Sequence, residues 1–530
     1  MKLKNLFLQQ YRVLRNLNIE FSPNETQLPT HAPSYCLDFL VGVNGTGKST
    51  VLQGLFDVMR KIERNAPIEY GFYLEYELGV GEETRSITLT NFEDSSTNEE
   101  TGESQTVTRG EVLASENGES APVGRGLLPA LVVAFTTGSE DAWKQLYEVS
   151  PFETADRSSI QDLTSLDLAI RELPGRLLSS GALESPQTEE DSRFLLIESH
   201  QLPLVTLCGL LADLAASNQN SDTSGDTSPE HPRLKEVLRG NKSLSIRSIP
   251  GFSLKFRMAQ GITSQADRKV MKQLAAIATR KIRLGTDYLL VFDLTNNAVE
   301  TAQRIIHEFS DGLQLFKTLA KLNQIGNDGQ SVLREVNIFL ERSISGHMEA
   351  DPEDDPPLHL LDWLSDGERS FLGRMCLFAL LGETEALVLL DEPEVHFNDF
   401  WKRKIVSLLD KTLEGKHSHV LITTHSSITL SDVLEEDIVI LNRTSSYTDS
   451  ATSSSFKTFA ADPSEIMIHI FDAPHAAGDR SVAYIQSILS DELSNGNSAQ
   501  KRRNLEALLP IVGEGYWRYR IRRALLEIET

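Results

Sequence analysis

Residues 35–49 read YCLDFLVGVNGTGKS, and KSTVLQGLFDVMRKIE follows over 48–63. A short apolar run ends in a glycine-rich turn, and the turn opens a predicted helix. Gly42-Val43-Asn44-Gly45-Thr46-Gly47-Lys48-Ser49 fits GxxxxGKS in full. Glycines let successive backbone N–H groups turn inward around phosphate oxygens, and a helix N-terminus adds favourable partial charge. The pattern assigns Gly42, Asn44, Gly45, Thr46, Gly47, Lys48, Ser49 and Thr50 to nucleotide binding. Lys48 is expected at the β- and γ-phosphates, and the Ser49 hydroxyl on Mg²⁺.

Such a turn needs a second half, and ALVLLDE (386–392) supplies it. A buried strand ending in two carboxylates sets Asp391 to hold the magnesium shell and Glu392 to polarise an attacking water. Phosphoryl transfer needs positioning and charge neutralisation more than covalent chemistry. The next strand, HVLITT (419–424), ends in His425, placed to contact the γ-phosphate. The catalytic set is therefore Lys48, Glu392 and His425, with Ser49 and Asp391 as metal ligands and ATP with Mg²⁺ as the implied cofactors.

Further out, the first 21 residues alternate apolar and polar positions as two strands joined by a turn. Residues 70–78 and 85–90 predict a hairpin, about 91–120 a mobile loop, and 127–135 a buried strand. From about 140 to 345 the pattern is mostly helical, broken by a linker-like SNQNSDTSGDTSPEHP (217–232). EALVLL, HVLITT and DIVIL (437–441) are short buried strands separated by helix-like sequence, which points to an α/β sheet.

The chain of 530 residues is 40% hydrophobic and carries a formal net charge of −25. That charge argues against non-specific coating of nucleic acid, where Lys and Arg dominate phosphate contacts. Two local basic stretches stand out, Lys402-Arg403-Lys404 and WRYRIRR (517–523), and solvated helix faces are the plainer reading of both. No run approaches the length of a membrane span, and the N-terminus lacks a signal-peptide core. Three scattered cysteines, Cys36, Cys208 and Cys376, fit core positions in a reduced, cytoplasmic protein. His417 and His419 form an HxH without carboxylate or cysteine partners at metal spacing, and read as a solvent-exposed pair.

Leu364-Ser365-Asp366-Gly367-Glu368, in WLSDGERSF, lies 26 residues before Asp391 counted from Ser365. With this order of motifs the chain resembles the ABC-type ATPases, in the branch of RecF, the SMC proteins and the OLD-like defence ATPases. Their signature is LSxGE or LSGGQ. The resemblance covers the first ~60 residues and roughly 360–445. More narrowly, AFTTGSE (134–140), LSDGERS, DEPEVHF and TTHSS resemble restriction- and retron-associated AAA-family ATPases, including the PtuA type of Septu and retron systems. DEPEVHFND departs from the branch's DEPExHLHP at Phe397 and Asn398, which puts a role for His396 in doubt. The Q-loop residue is unplaced; Gln145 is the nearest glutamine to AFTTGSE.

The resemblance implies an α/β fold: an ABC/RecF-like P-loop ATPase head, a mixed sheet flanked by helices, with a largely helical insertion and a helical C-terminal region. The expected divisions are 1–140 and 346–445 for the head, 141–345 for the insertion and 446–530 for a partner-docking region. It also implies that Ser365, Gly367 and Glu368 cap the ATP of a second copy, making a homodimer around two nucleotides. Without nuclease motifs after Leu441, the expected partner is a separate HNH nuclease gated in anti-phage defence, with possible DNA or retron RNA–DNA contact and no membrane. Alternatives are a RecF-like repair ATPase on duplex DNA, a scaffold with little turnover and, least favoured, a transporter motor.

Overall fold

The opening strands form as expected, β1 (Lys2–Tyr11) and β2 (Leu14–Glu20), and β3 (Cys36–Val41) runs into helix α1 (Lys48–Glu63). The computed structural model describes residues 1–21, 35–92, 109–147, 192–216, 244, 246–257, 264–325, 330–342, 358–381, 384–413, 415–443, 446–490 and 498–529. β4 (Phe72–Leu78) and β5 (Arg85–Phe92) make the expected hairpin.

The loop expected over 91–120 is overturned at its C-terminal end. There β6 (Arg109–Glu116) and β7 (Glu119–Ala121) pair as a hairpin. Asn117 and Gly118 both take positive φ, 52° and 83°, the two-residue turn that matches strand twist. Residues 93–108 lie outside the described residues, as does the linker expected at 217–232. β8 (Leu131–Thr136) starts later than expected, after a 3-10 turn at Arg125–Leu127 and Pro129, which has no N–H to give a ladder.

Helix α2 (Asp141–Tyr147) and β9 (Phe194–Ile197) follow, then α3 (Leu202–Ala216), β10 (Ile246–Arg257), α4 (Gln265–Ile277), β11 (Arg280–Leu284), β12 (Asp287–Asp293), α5 (Ala298–Glu308), α6 (Gly312–Asn323) and β13 (Leu333–Arg342). Helices hold the larger share of this stretch, but it also builds most of a second sheet that the sequence did not announce. β14 (Leu358–Leu360) completes that sheet in the order β11-β12-β10-β13-β14. Then come α7 (Asp366–Leu381), β15 (Ala386–Asp391), α8 (Asp399–Lys402), α9 (Ile405–Leu413), β16 (His419–Thr423), α10 (Ser427–Leu430), β17 (Ile438–Arg443) and β18 (Thr448–Ser453).

The main sheet has thirteen strands in the order β7-β6-β5-β4-β1-β2-β18-β17-β3-β16-β15-β8-β9. Strands β3, β16, β15, β8 and β9 are mutually parallel. Every residue of these five is buried, as a parallel sheet covered on both faces requires. The described residues are thus a mixed α/β protein, and the three cysteines are buried as expected. No helix among the described residues is long and apolar enough to cross a membrane.

His419 corrects the exposed-pair reading of HxH. Its side chain is 1% exposed, with Nε2 2.9 Å from Asp38 Oδ2, while the Leu3 N–H donates to Nδ1 at 3.0 Å. The alternation of β16 points it inward, so the histidine anchors strand β1 rather than facing water.

The chain divides into Met1–Ala460 and Ala461–Thr530. The second unit holds α11 (Pro463–His469), α12 (Asp479–Leu489), α13 (Ser498–Leu508) and α14 (Tyr516–Glu529), with Ile485, Ile488, Leu505, Leu508 and Ile521 as its core. WRYRIRR lies on α14. Ile521 faces that core, while Arg518 and Arg523 pair with Glu514 and Glu527 at 2.9 and 3.0 Å.

In the first unit α3 crosses α7 at glycines. A Cβ on Gly209 would lie 2.3 Å from the Cys376 carbonyl oxygen, closer than any side chain tolerates. A helical glycine replaced by alanine ordinarily gains about 1 kcal/mol of propensity. Here Gly209→Ala is expected to lose about 1–3 kcal/mol through overpacking, read by denaturant unfolding. A stabilised variant would contradict the close crossing.

Candidate functional site

The C-terminal ends of β3, β15, β16 and β8 meet at one carboxylate. Asp391, the last residue of β15, is 5% exposed. Its Oδ1 accepts from Ser49 Oγ at 2.8 Å and from Thr423 Oγ1 at 2.7 Å, and its Oδ2 from Thr136 Oγ1 at 3.0 Å. The first turn of α1 and the ends of β16 and β8 are thereby tied to one group. A hydroxyl beside a buried carboxylate is the oxygen donor set that suits a hard divalent cation, so Ser49 and Asp391 fit Mg²⁺.

The loop from Gly42 to Lys48 bends back over the end of β3. Gly42 has φ 149°, and a Cβ there would stand 2.7 Å from the Leu441 carbonyl oxygen, so only glycine fits. Gly45 and Gly47 also take positive φ, and Gly47 caps α1 in the left-handed region. Asn44 is exposed, Thr46 is buried, and Ser49 and Thr50 are half-buried. Thr46 Oγ1 donates to the Val43 carbonyl at 2.9 Å, and Thr448 Oγ1 donates to the Thr46 carbonyl at 2.9 Å. Lys48 Nζ donates to the carbonyls of Gly42 (3.0 Å) and Val43 (3.4 Å), a cation held inside its own glycine-rich loop. Burial lowers the Lys48 pKa to about 8, against the pull of Glu392 and Asp391.

Glu392 leaves the strand with φ 50°, a left-handed conformation that costs a non-glycine residue about 1–3 kcal/mol and clusters at functional sites. Its N–H donates to the carbonyl and the Oγ1 of Thr423. Its Oε1 lies 3.2 Å from His425 Nε2. Burial raises the Glu392 pKa, the Asp391 charge adds to this, and Lys48 opposes it. Burial and then the Lys48 charge lower the His425 pKa to about 4, so the imidazole is neutral near pH 7. The structure therefore brings Lys48, Ser49, Asp391, Glu392 and His425 together.

It does not bring Ser365, Gly367 and Glu368 to them. No hydrogen bond or ion pair among the described residues joins these three to that cluster. Ser365 N–H and Oγ both donate to Glu368 Oε2 (2.8 and 2.9 Å), and the Glu368 N–H returns to Ser365 Oγ at 3.3 Å. This reciprocal cap starts α7. Arg342 of β13 holds the other Glu368 oxygen at 2.6 Å. A Cβ on Gly367 would stand 2.6 Å from the His396 carbonyl oxygen, so the signature turn lies directly against the loop after β15.

Three groups were missed from sequence. Thr136 holds Asp391, and Thr137 Oγ1 donates to the Glu392 carbonyl at 3.0 Å. That is the contribution of AFTTGSE, whereas Gln145 is exposed on α2. Glu394, buried, accepts from Thr424 Oγ1 and from the His425 N–H. Arg374 on α7 is buried between the rings of Phe135 and Phe397 at 5.1 and 4.8 Å, with Glu394 as its counter-charge. The second glutamate of DEPE was the available signal for Glu394. Elsewhere, Glu140, Glu198 and His200 approach one another, but Lys144 stands 2.6 Å from Glu198 and 3.4 Å from Glu140 and already occupies both carboxylates as their ion-pair partner.

A family model described as "AAA domain, putative AbiEii toxin, Type IV TA system" matches residues 262–432, which contain the signature, Asp391, Glu392 and His425. The match supports an ATPase-type domain. No curated protein matches the chain. Among solved structures, an SMC head domain from Thermotoga maritima aligns over 86% of this chain and 100% of its own, at 12% identity and TM-score 0.33. An SmcHead bound to the C-winged helix domain of ScpA aligns over 86% and 98% at 12% and 0.33. An Smc head from Pyrococcus furiosus, with an extended coiled coil and bound to the C-terminal domain of ScpA, aligns over 85% and 96% at 11% and 0.32. These likenesses are too distant to bear on the chemistry, which rests on the geometry above.

The electrostatics are directly measurable. In an NMR titration His425 is expected to titrate near pH 4 rather than 6.5. Lys48→Met removes a neighbouring cation, which favours the protonated ring, so the His425 pKa should rise. A native His425 titrating at 6.5 or above would refute this arrangement.

Proposed function

We propose that the chain binds and hydrolyses Mg·ATP at the end of β3, β15 and β16, and that two copies close around two nucleotides to gate a separate effector. The observation that carries the reading is the Ser49–Asp391 hydrogen bond, with Lys48, Glu392 and His425 gathered around it. Lys48 exchanges its two loop carbonyls for the terminal phosphates. Gly42 to Thr50 supply the inward-turned N–H groups, with Asn44 at the open rim. Ser49 and Asp391 would hold Mg²⁺, which would supply charge neutralisation at the phosphate oxygens. Glu392 orients the attacking water, and neutral His425, beside it, contacts the γ-phosphate.

Ser365, Gly367 and Glu368 serve the second copy's ATP in this reading. Within one chain no hydrogen bond or ion pair among the described residues ties them to Lys48, which is consistent with it. The gated effector is an HNH nuclease in anti-phage defence, with the Ala461–Thr530 unit as the docking region. The matched family's description as a putative toxin of a toxin–antitoxin system lends support to a defence role.

Mixing a Ser365→Arg chain with a Lys48→Ala chain tests the shared site. Each alone should be inactive, and the mixture should recover about one functional site per mixed dimer, read as phosphate release. No recovery would dismiss the paired arrangement. Glu392→Gln should stop turnover by at least tenfold while retaining ATP and stabilising the dimer, seen by light scattering. An unchanged turnover would remove Glu392 from the mechanism. Co-expression with a neighbouring HNH gene tests the effector: no complex, and defence that survives Glu392→Gln, would end that part of the reading.

A further inference from the structure

Strand β11 reads Arg280-Lys281-Ile282-Arg283-Leu284, and all five residues are exposed. Among the described residues it is the edge of the second sheet, hydrogen-bonded to β12 alone. On β12 the alternate residues Leu290 and Phe292 are buried, 3% and 0% exposed, so one face of that strand meets the core. That cover stops one strand short, because Lys281, opposite Leu290, is exposed. β11 therefore shows solvent both faces and an unpaired rim of backbone N–H and C=O groups.

Its chemistry is unusual for this chain. Residues 265–286 contain six cations and a single carboxylate, Asp267, in a protein of net charge −25. Among the described residues Arg280, Lys281 and Arg283 make no ion pair; Arg283 Nε donates to the Gly285 carbonyl at 3.2 Å. On β12 Asp287 pairs with Arg334, while Asp293 accepts from Thr295 and also feels the Arg280 charge, which leaves Lys281 and Arg283 as the cations without a carboxylate beside them. Ile282 and Leu284, 41% and 48% exposed, project from the face opposite Lys281 and Arg283.

We propose that β11 accepts an acidic, extended segment of a partner protein, which adds to the sheet as a sixth strand. Strand addition satisfies both the donors and the acceptors of the open rim. A phosphate backbone offers only acceptors and leaves the carbonyls and the Ile282–Leu284 surface unused. Charge range favours the same occupant: beyond a Debye length of about 8–10 Å a short peptide sees only the local cations. A long polyanion also meets the acidic remainder of the chain. A second copy of β11 is excluded by its own like charges, the usual device that keeps edge strands from self-pairing. This inference is independent of the ATP reading.

The probe is a fluorescein-labelled heptapeptide of alternating acidic and aliphatic residues, DVEIDVE, titrated against the full chain by anisotropy. Saturable binding is expected, weakened at least tenfold by Arg280→Glu with Arg283→Glu, and at least tenfold by N-methylation of alternate peptide amides. The basic peptide KVKIKVK should bind the double variant better than the native chain. Unchanged ATP-analogue binding by the variant reports that it is folded. The proposal is overturned if DVEIDVE fails to bind the native chain, or if the variant or the N-methylated peptide binds equally well. It is equally overturned if a short DNA duplex competes for the same arginines more tightly than the peptide.

Discussion

One buried carboxylate organises the head. Asp391 accepts hydrogen bonds from Ser49, Thr423 and Thr136, so it fixes the first turn of α1 against the ends of two parallel strands. Hydrogen bonds to an ionised group are worth roughly 1.5–3 kcal/mol each, more than neutral ones. Three such bonds also satisfy a charge whose burial would otherwise be costly. The Gly42 turn, the left-handed Glu392 and the placement of His425 are all defined relative to that point.

Around it, burial sets the protonation states more than individual ion pairs do. It pulls Lys48 and His425 down and pushes Glu392 up. The cluster is thus poised to exchange charge with an incoming polyanion. Behind it, Arg374 and Glu394 form a second layer. Burial drives the Arg374 pKa down to about 9, yet the guanidinium keeps aromatic faces on two sides and Glu394 as its counter-charge. Since Glu394 accepts from the His425 N–H and Arg374 rides on α7, the helix opened by Ser365 is physically continuous with the histidine loop.

The candidate site was largely legible because its constraints are local. Glycines that need positive φ, a lysine at a helix start and carboxylates at a strand end each leave a mark within a few residues. The groups reached through tertiary pairing left weaker marks. AFTTGSE carried a family resemblance, but the contacts of Thr136 and Thr137 depend on β8 lying beside β15, which the sequence does not spell out. His419 looked exposed because its partners, Asp38 and Leu3, are hundreds of residues away in sequence. The second sheet escaped because its strands are interleaved with long helices, and β11 offers only two apolar residues, Ile282 and Leu284, among three cations. The turn at Asn117-Gly118 was readable and was passed over within a polar stretch.

The main sheet also sets an order of events during synthesis. β3 is flanked by β16 and β17, so the strand that carries the nucleotide loop has both its neighbours in the C-terminal part of the chain. Ser49 and Asp391 are 342 residues apart. At about 5–20 residues per second, the ribosome delivers the carboxylate roughly 20–70 s after the loop it anchors. Through that interval the strand lacks both its sheet neighbours, while its helix can rest on the early hairpins and, once they emerge, on Trp143 and Phe194. The loop emerges first and is completed last, which makes the nascent N-terminal segment the part of this protein most dependent on protection while it waits.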